Sequence, residues 1–173
     1  MSPRLNVALI AAVCAAPFAL ASVVYWLGWG TGSAGNYGEL VKPRLVVEPP
    51  LDALRGKWVL VTFDAARCDA QCERKLFLVR QVRKAQGPDQ ERIERLWVIT
   101  DRRAPSAELS AAIEGSRMAP ATPSLLAQFP GTPQEHVYLV DPNGNLMMRF
   151  PRDPDPSKVI KDLQRLLKYS RIG

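Results

Sequence analysis

Leu5 to Trp29 (LNVALIAAVCAAPFALASVVYWLGW) is a run of 25 residues without a formal charge. A helix of that length, at about 1.5 Å per residue, exceeds a hydrocarbon core about 30 Å thick. Arg4 is the only charged residue in the first 38 positions. From Leu51 onward there are 20 basic and 15 acidic residues, so +5 of the net charge of +6 belongs to the C-terminal part. The chain is therefore two populations, one lipid-like and one soluble. That excludes a purely cytosolic globule, a polytopic membrane protein and a disordered chain.

Tyr25, Trp26 and Trp29 close the apolar run as an interfacial aromatic belt would. Pro17 lies inside it, where a membrane helix tolerates proline. Ala19-Leu20-Ala21 fits the cleavage site of a signal peptide. The run continues for eight residues beyond it and ends in aromatics, so the reading is an uncleaved anchor over residues 1–30. Cys14 reads as a small apolar residue within it. Arg4 and the free amine favour the N-terminus inside. The simplest placement is the bacterial inner membrane, single-pass, with the soluble part in the periplasm. Residues 31–50 read as a flexible tether, Gly/Ser-rich and then Pro-flanked.

Residues 51–173 read as one α/β domain. Trp58 to Phe63 (WVLVTF) is a continuous apolar run suited to a buried parallel strand. Cys72, Leu76, Val79 and Val82 recur at helical spacing up to the Gly87-Pro88 stop. Arg95 to Thr100 is a second buried strand. Ser106 caps a helix over 107–115, and Thr122-Pro123 opens a short one through Phe129. His136 to Val140 and Asn145 to Phe150 form a hairpin around Asp141-Pro142-Asn143-Gly144. Ser157 caps a final helix with Val159, Ile160, Leu163, Leu166 and Leu167 on one face. The order β-α-β-α-β-β-α is a thioredoxin-like layout behind a single N-terminal transmembrane helix. A domain of this size needs neither a disulfide nor a cofactor to fold.

Cys68 and Cys72 lie directly after the first buried strand, at the start of the first helix. Helix N-terminal amides and the dipole favour a thiolate there. Arg67, Arg74 and Lys75 act in the same sense, and Asp64, Asp69 and Glu73 against it. Cysteines at i and i+4 can close a disulfide or hold a soft ion such as Cu(I). The plainer alternative is two small buried side chains.

A single anchor, a tether and a thioredoxin-like domain with C-x-x-x-C after its first strand resemble the Sco/SenC proteins. Tyr138 to Gly144 (YLVDPNG) resembles their strand and turn. The resemblance implies assembly of the copper centre of cytochrome c oxidase, with copper, Cu(I) or Cu(II), held by two cysteines and one histidine. It equally implies thiol–disulfide exchange on an oxidase subunit or another copper or thiol assembly factor. By the resemblance Cys68 and Cys72 are the redox pair and copper ligands, and His136 is the available third ligand. Two features depart from the family. Asp69 and Glu73 stand where it has proline after each cysteine. Pro133 holds its histidine place, and a shift of three to His136 inverts side-chain parity on an extended segment. Met147 and Met148 offer thioether sulfur, with one of them expected to face the core.

The basic excess carries no aromatic interleaving and no nucleic-acid motif. There is no phosphate loop, nucleophile elbow or paired-carboxylate signature. Three functions stay open at the level of sequence: copper delivery, a thiol–disulfide oxidoreductase acting on periplasmic proteins, and a non-catalytic assembly scaffold.

Overall fold

The computed structural model describes residues 3–27 and 35–172. Residues 1–2 and 28–30 of the expected anchor, Trp29 among them, and 31–34 of the expected tether lie outside the described residues. The chain divides into two compact units, Met1–Asn36 and Tyr37–Gly173.

The first unit holds α1 (Pro3–Trp26), 24 residues with Pro17 inside and no buried side chain. By length and composition it can cross a membrane. Cys14 is a free, exposed cysteine on it.

The second unit is built on a six-stranded sheet. In chain order its elements are β1 (Glu39–Leu45), α2 (Pro49–Asp52), β2 (Trp58–Asp64), α3 (Ala70–Lys84), β3 (Ile93–Ile99), α4 (Ala107–Ala112), β4 (Arg117–Pro120), α5 (Pro123–Ala127), β5 (His136–Val140), β6 (Asn145–Pro151) and α6 (Pro156–Tyr169). The strands lie in the order β1-β6-β5-β2-β3-β4. β2, β3 and β4 are parallel, while β5, β6 and β1 run antiparallel to their neighbours. β2 is buried along its whole length, as its unbroken apolar run requires of a central strand.

Side chains alternate between the two faces of the sheet. Val59, Val61, Phe63, Leu96, Val98 and Tyr138 pack on one face with Leu51, Leu54, Leu125 and Phe129. Leu60, Ile93, Val137 and Leu139 pack on the other against Val79 and Val82 of α3 and Val159 and Leu163 of α6. Ala66, Cys72, Leu76, Trp97 and Ile113 continue that second face toward the end of β2. The turn after β5 is set by Asp141, whose carboxylate accepts from the amides of Asn143 (2.9 Å) and Asn145 (2.7 Å), with Gly144 at φ 86°.

Three expectations are corrected. Residues 37–50 are not a loose tether: β1 pairs with β6, and Asp162 of α6 accepts from the amides of Tyr37 and Gly38, each at 2.8 Å. β4 adds a parallel edge strand, so the sheet has six strands rather than four. Asp155, not Ser157, caps α6; its carboxylate accepts from the Ser157 amide at 2.9 Å. Pro156 at the first helical position moves the start two residues earlier.

Candidate functional site

The site is assembled where β2 ends. The chain leaves the sheet at Asp64, and the Asp101 carboxylate, just past β3, accepts the Ala66 amide at 2.9 Å. That bond holds the β2–α3 loop over the end of the sheet. The same backbone bonds hold the Asp101 carboxyl below its ordinary value.

Asp69 is the N-cap of α3. Its Oδ1 accepts from the amides of Cys72 (2.8 Å) and Gln71 (3.0 Å), and these bonds, the Cys72 one first, hold its carboxyl below the usual aspartate value. The helix N-terminal amides expected to favour a thiolate are therefore occupied by a carboxylate. The departure from proline at this position has a structural reason: Asp69 starts the helix.

Cys68 and Cys72 are joined as a disulfide, with Cα atoms 5.2 Å apart. The two sulfurs are not equivalent. Cys68 is partly exposed in the loop. Cys72 is 3% exposed and packs with Ala66, Leu76 and Trp97.

Beneath them lies a buried ion pair. Lys75, one turn beyond Cys72 on α3, places Nζ 2.7 Å from Oδ2 of Asp64. Nζ also donates to the carbonyl of Gln134 at 2.7 Å and faces that of Phe63 at 3.4 Å. Lys75 is 2% exposed and Asp64 6%. Burial raises the Asp64 carboxyl above its ordinary value, against the lowering effect of Lys75 and Arg152. From sequence, Lys75 counts as favouring a thiolate and Asp64 as acting against it, without a pairing between them. The signal that they are paired was present: an Asp ending an apolar strand, and a Lys on the apolar face of the next helix.

His136 is the first residue of β5 and shares a face with Tyr138, its ring 5.7 Å from the tyrosine ring. Its Nδ1 lies 3.1 Å from the Thr132 carbonyl. Cys72 packs with Trp97, on the face of the sheet opposite Tyr138. Among the described residues no three His, Cys, Asp or Glu side chains converge as a metal site. Met148 is in the core at 1% exposed, and Met147 is its partly exposed neighbour. Tyr138, whose hydroxyl donates to the Pro130 carbonyl at 2.6 Å, is pushed up to about 12 by burial.

A central strand delivering a cysteine pair to the first turn of a helix, with parallel strands on one side and a hairpin on the other, defines a thioredoxin-like domain. The sequence model of the transmembrane-like, thioredoxin-like, C-terminal domain family matches residues 58–170, and the chain belongs to that family. Its fold is that of the Sco proteins. The apo Sco1 protein from Thermus thermophilus matches with a TM-score of 0.58 and 23% identity, covering 78% of this chain and 99% of that one. Bradyrhizobium japonicum ScoI with copper bound matches with a TM-score of 0.53 and 21% identity, covering 66% and 88%. Yeast Sco1 with copper bound matches with a TM-score of 0.57 and 16% identity, covering 80% and 96%. No curated protein matches the chain in sequence.

Proposed function

We propose that this chain is a membrane-anchored, Sco-like thiol–disulfide exchange protein that serves the copper-site assembly of cytochrome c oxidase. In this reading α1 is the anchor in the bacterial inner membrane and the second unit faces the periplasm. Its partner is an oxidase subunit or another copper or thiol assembly factor. The observation that carries the proposal is the inequality of the bonded sulfurs: Cys68 partly exposed, Cys72 buried. An incoming thiolate reaches Cys68, and Cys72 is the resolving sulfur. An oxidising compartment suits such a pair. With Cys72→Ser in the full chain, a mixed disulfide between Cys68 and the partner should accumulate; with Cys68→Ser it should not. A Cys72→Ser chain that traps no partner, or a Cys68→Ser chain that traps as much, would overturn this reading.

Copper delivery is the second reading, and it too has a structural observation behind it. Once reduced, the two sulfurs, Cys68 in the loop and Cys72 in the first turn of α3, are soft donors fit for Cu(I). His136, its Nδ1 donating to a carbonyl, presents Nε2. In this reading Cys68 and Cys72 are the primary ligands, and His136 is the third. Anaerobic Cu(I) titration of the reduced chain separates the readings. Delivery requires sub-micromolar affinity that is lost in the Cys68→Ser/Cys72→Ser chain.

A further inference from the structure

We propose that the Asp64–Lys75 ion pair is a positioning element for the exchange chemistry of Cys68 and Cys72: Lys75 supplies the cation that favours departure of the Cys72 sulfur, and Asp64 attenuates it. The inference rests on the exchange reading above.

In the first step an incoming partner thiolate bonds to Sγ of Cys68. The Cys68–Cys72 bond breaks, and its electron pair leaves on Sγ of Cys72. In the second step another partner thiolate attacks the partner's sulfur in the mixed disulfide. Cys68 then leaves as a thiolate and takes a proton from water. Two electrons have passed from a partner dithiol to this chain, and the reverse sequence returns them.

The first step creates an anion on a sulfur that is 3% exposed. Water cannot solvate it well, and an unpaired buried charge is costly. The nearest amides, those of Gln71 and Cys72, are already bound by Asp69, itself negative. Arg152 is paired with Glu135 at 2.9 Å. Arg67 and Arg74 are exposed to solvent, where their charges are screened. Lys75 is the buried cation on the face of α3 that carries Cys72, three residues on. Long helical side chains lean toward the N-terminus, which here is the turn of Cys72. Asp64, Gln134 and Phe63 hold its ammonium in place. In a site shielded from water a fixed charge acts more strongly than on the surface.

The test is cleavage of the disulfide by dithiothreitol in the full chain in detergent, at one fixed pH, followed by alkylation of the released thiols. This small-thiol reaction needs no partner, so its outcome is independent of whether the partner-trapping experiment succeeds. Lys75→Met should slow cleavage about tenfold, and Asp64→Asn should speed it by a similar factor, because the cation is then unattenuated. Lys75→Arg should restore the rate to within about threefold of the parent. A purely structural pair would move both single variants in the same direction, or neither, and either result overturns the proposal. Where Lys75→Met does not fold, the isosteric Asp64→Asn carries the test alone: an unchanged or slower rate overturns it.

Discussion

Two carboxylates, Asp64 at the end of β2 and Asp101 just past β3, differ in what surrounds them, and the difference sets the sign of their pH dependence. Asp101 accepts backbone hydrogen bonds and is held below the ordinary 3.8. It stabilises the fold above 3.8, and that contribution is lost as pH falls through its folded value. Asp64 is raised by burial. Its contribution is present below 3.8 and is lost as pH rises through its folded value. Urea denaturation of the full chain at a series of acidic pH values should therefore show opposite changes. Asp101→Asn should flatten the loss of stability in acid, and Asp64→Asn should steepen it. Identical slopes would contradict these assignments. At this scale the cysteines were legible because spacing and position along the chain suffice to find them. Which charges are buried was not, since Lys75 and Arg74 are neighbours in sequence and only the packing of α3 on β2 separates their fates.

At the scale of elements, the strands with continuous apolar runs were readable: β2, β3 and β5 lie within two residues of where their composition put them. β1 was not. Its sequence, ELVKPRL, holds a proline and three charges, and its partner β6 is about 100 residues away. Those residues suit an edge strand: Pro43 lies at the register shift between Leu40 and Arg44, and Lys42 and Arg44 discourage further pairing. β1 stays because its entry is tied down. Asp162 binds two amides there, and a Cβ on Gly38 would run into Met148 and Phe150. Asp162→Leu should cost about 2–4 kcal/mol, since two amide donors lose a charged acceptor. Hydrogen exchange should then rise selectively over 39–45, while β2 and β3 stay protected. Uniform exchange would show that β1 is held by the sheet alone.

At the scale of the molecule, the charge-free N-terminal run and the charged remainder correspond to two compact units, with the boundary at Tyr37 rather than Leu51. The thioredoxin-like class was legible because strand–helix alternation and the hairpin turn prescribe it. The task of the cysteine pair was not, because the same two sulfurs can exchange electrons, hold copper or do neither. If this pair carries the protein's part in oxidase assembly, a chain without it cannot support the oxidase. The direct measurement is the copper content and activity of cytochrome c oxidase in cells whose only copy of this chain is Cys68→Ser/Cys72→Ser, matched for membrane abundance. The expected result is the level of cells lacking the chain altogether. Oxidase at the level of the parent chain would contradict it and leave a scaffold without sulfur chemistry.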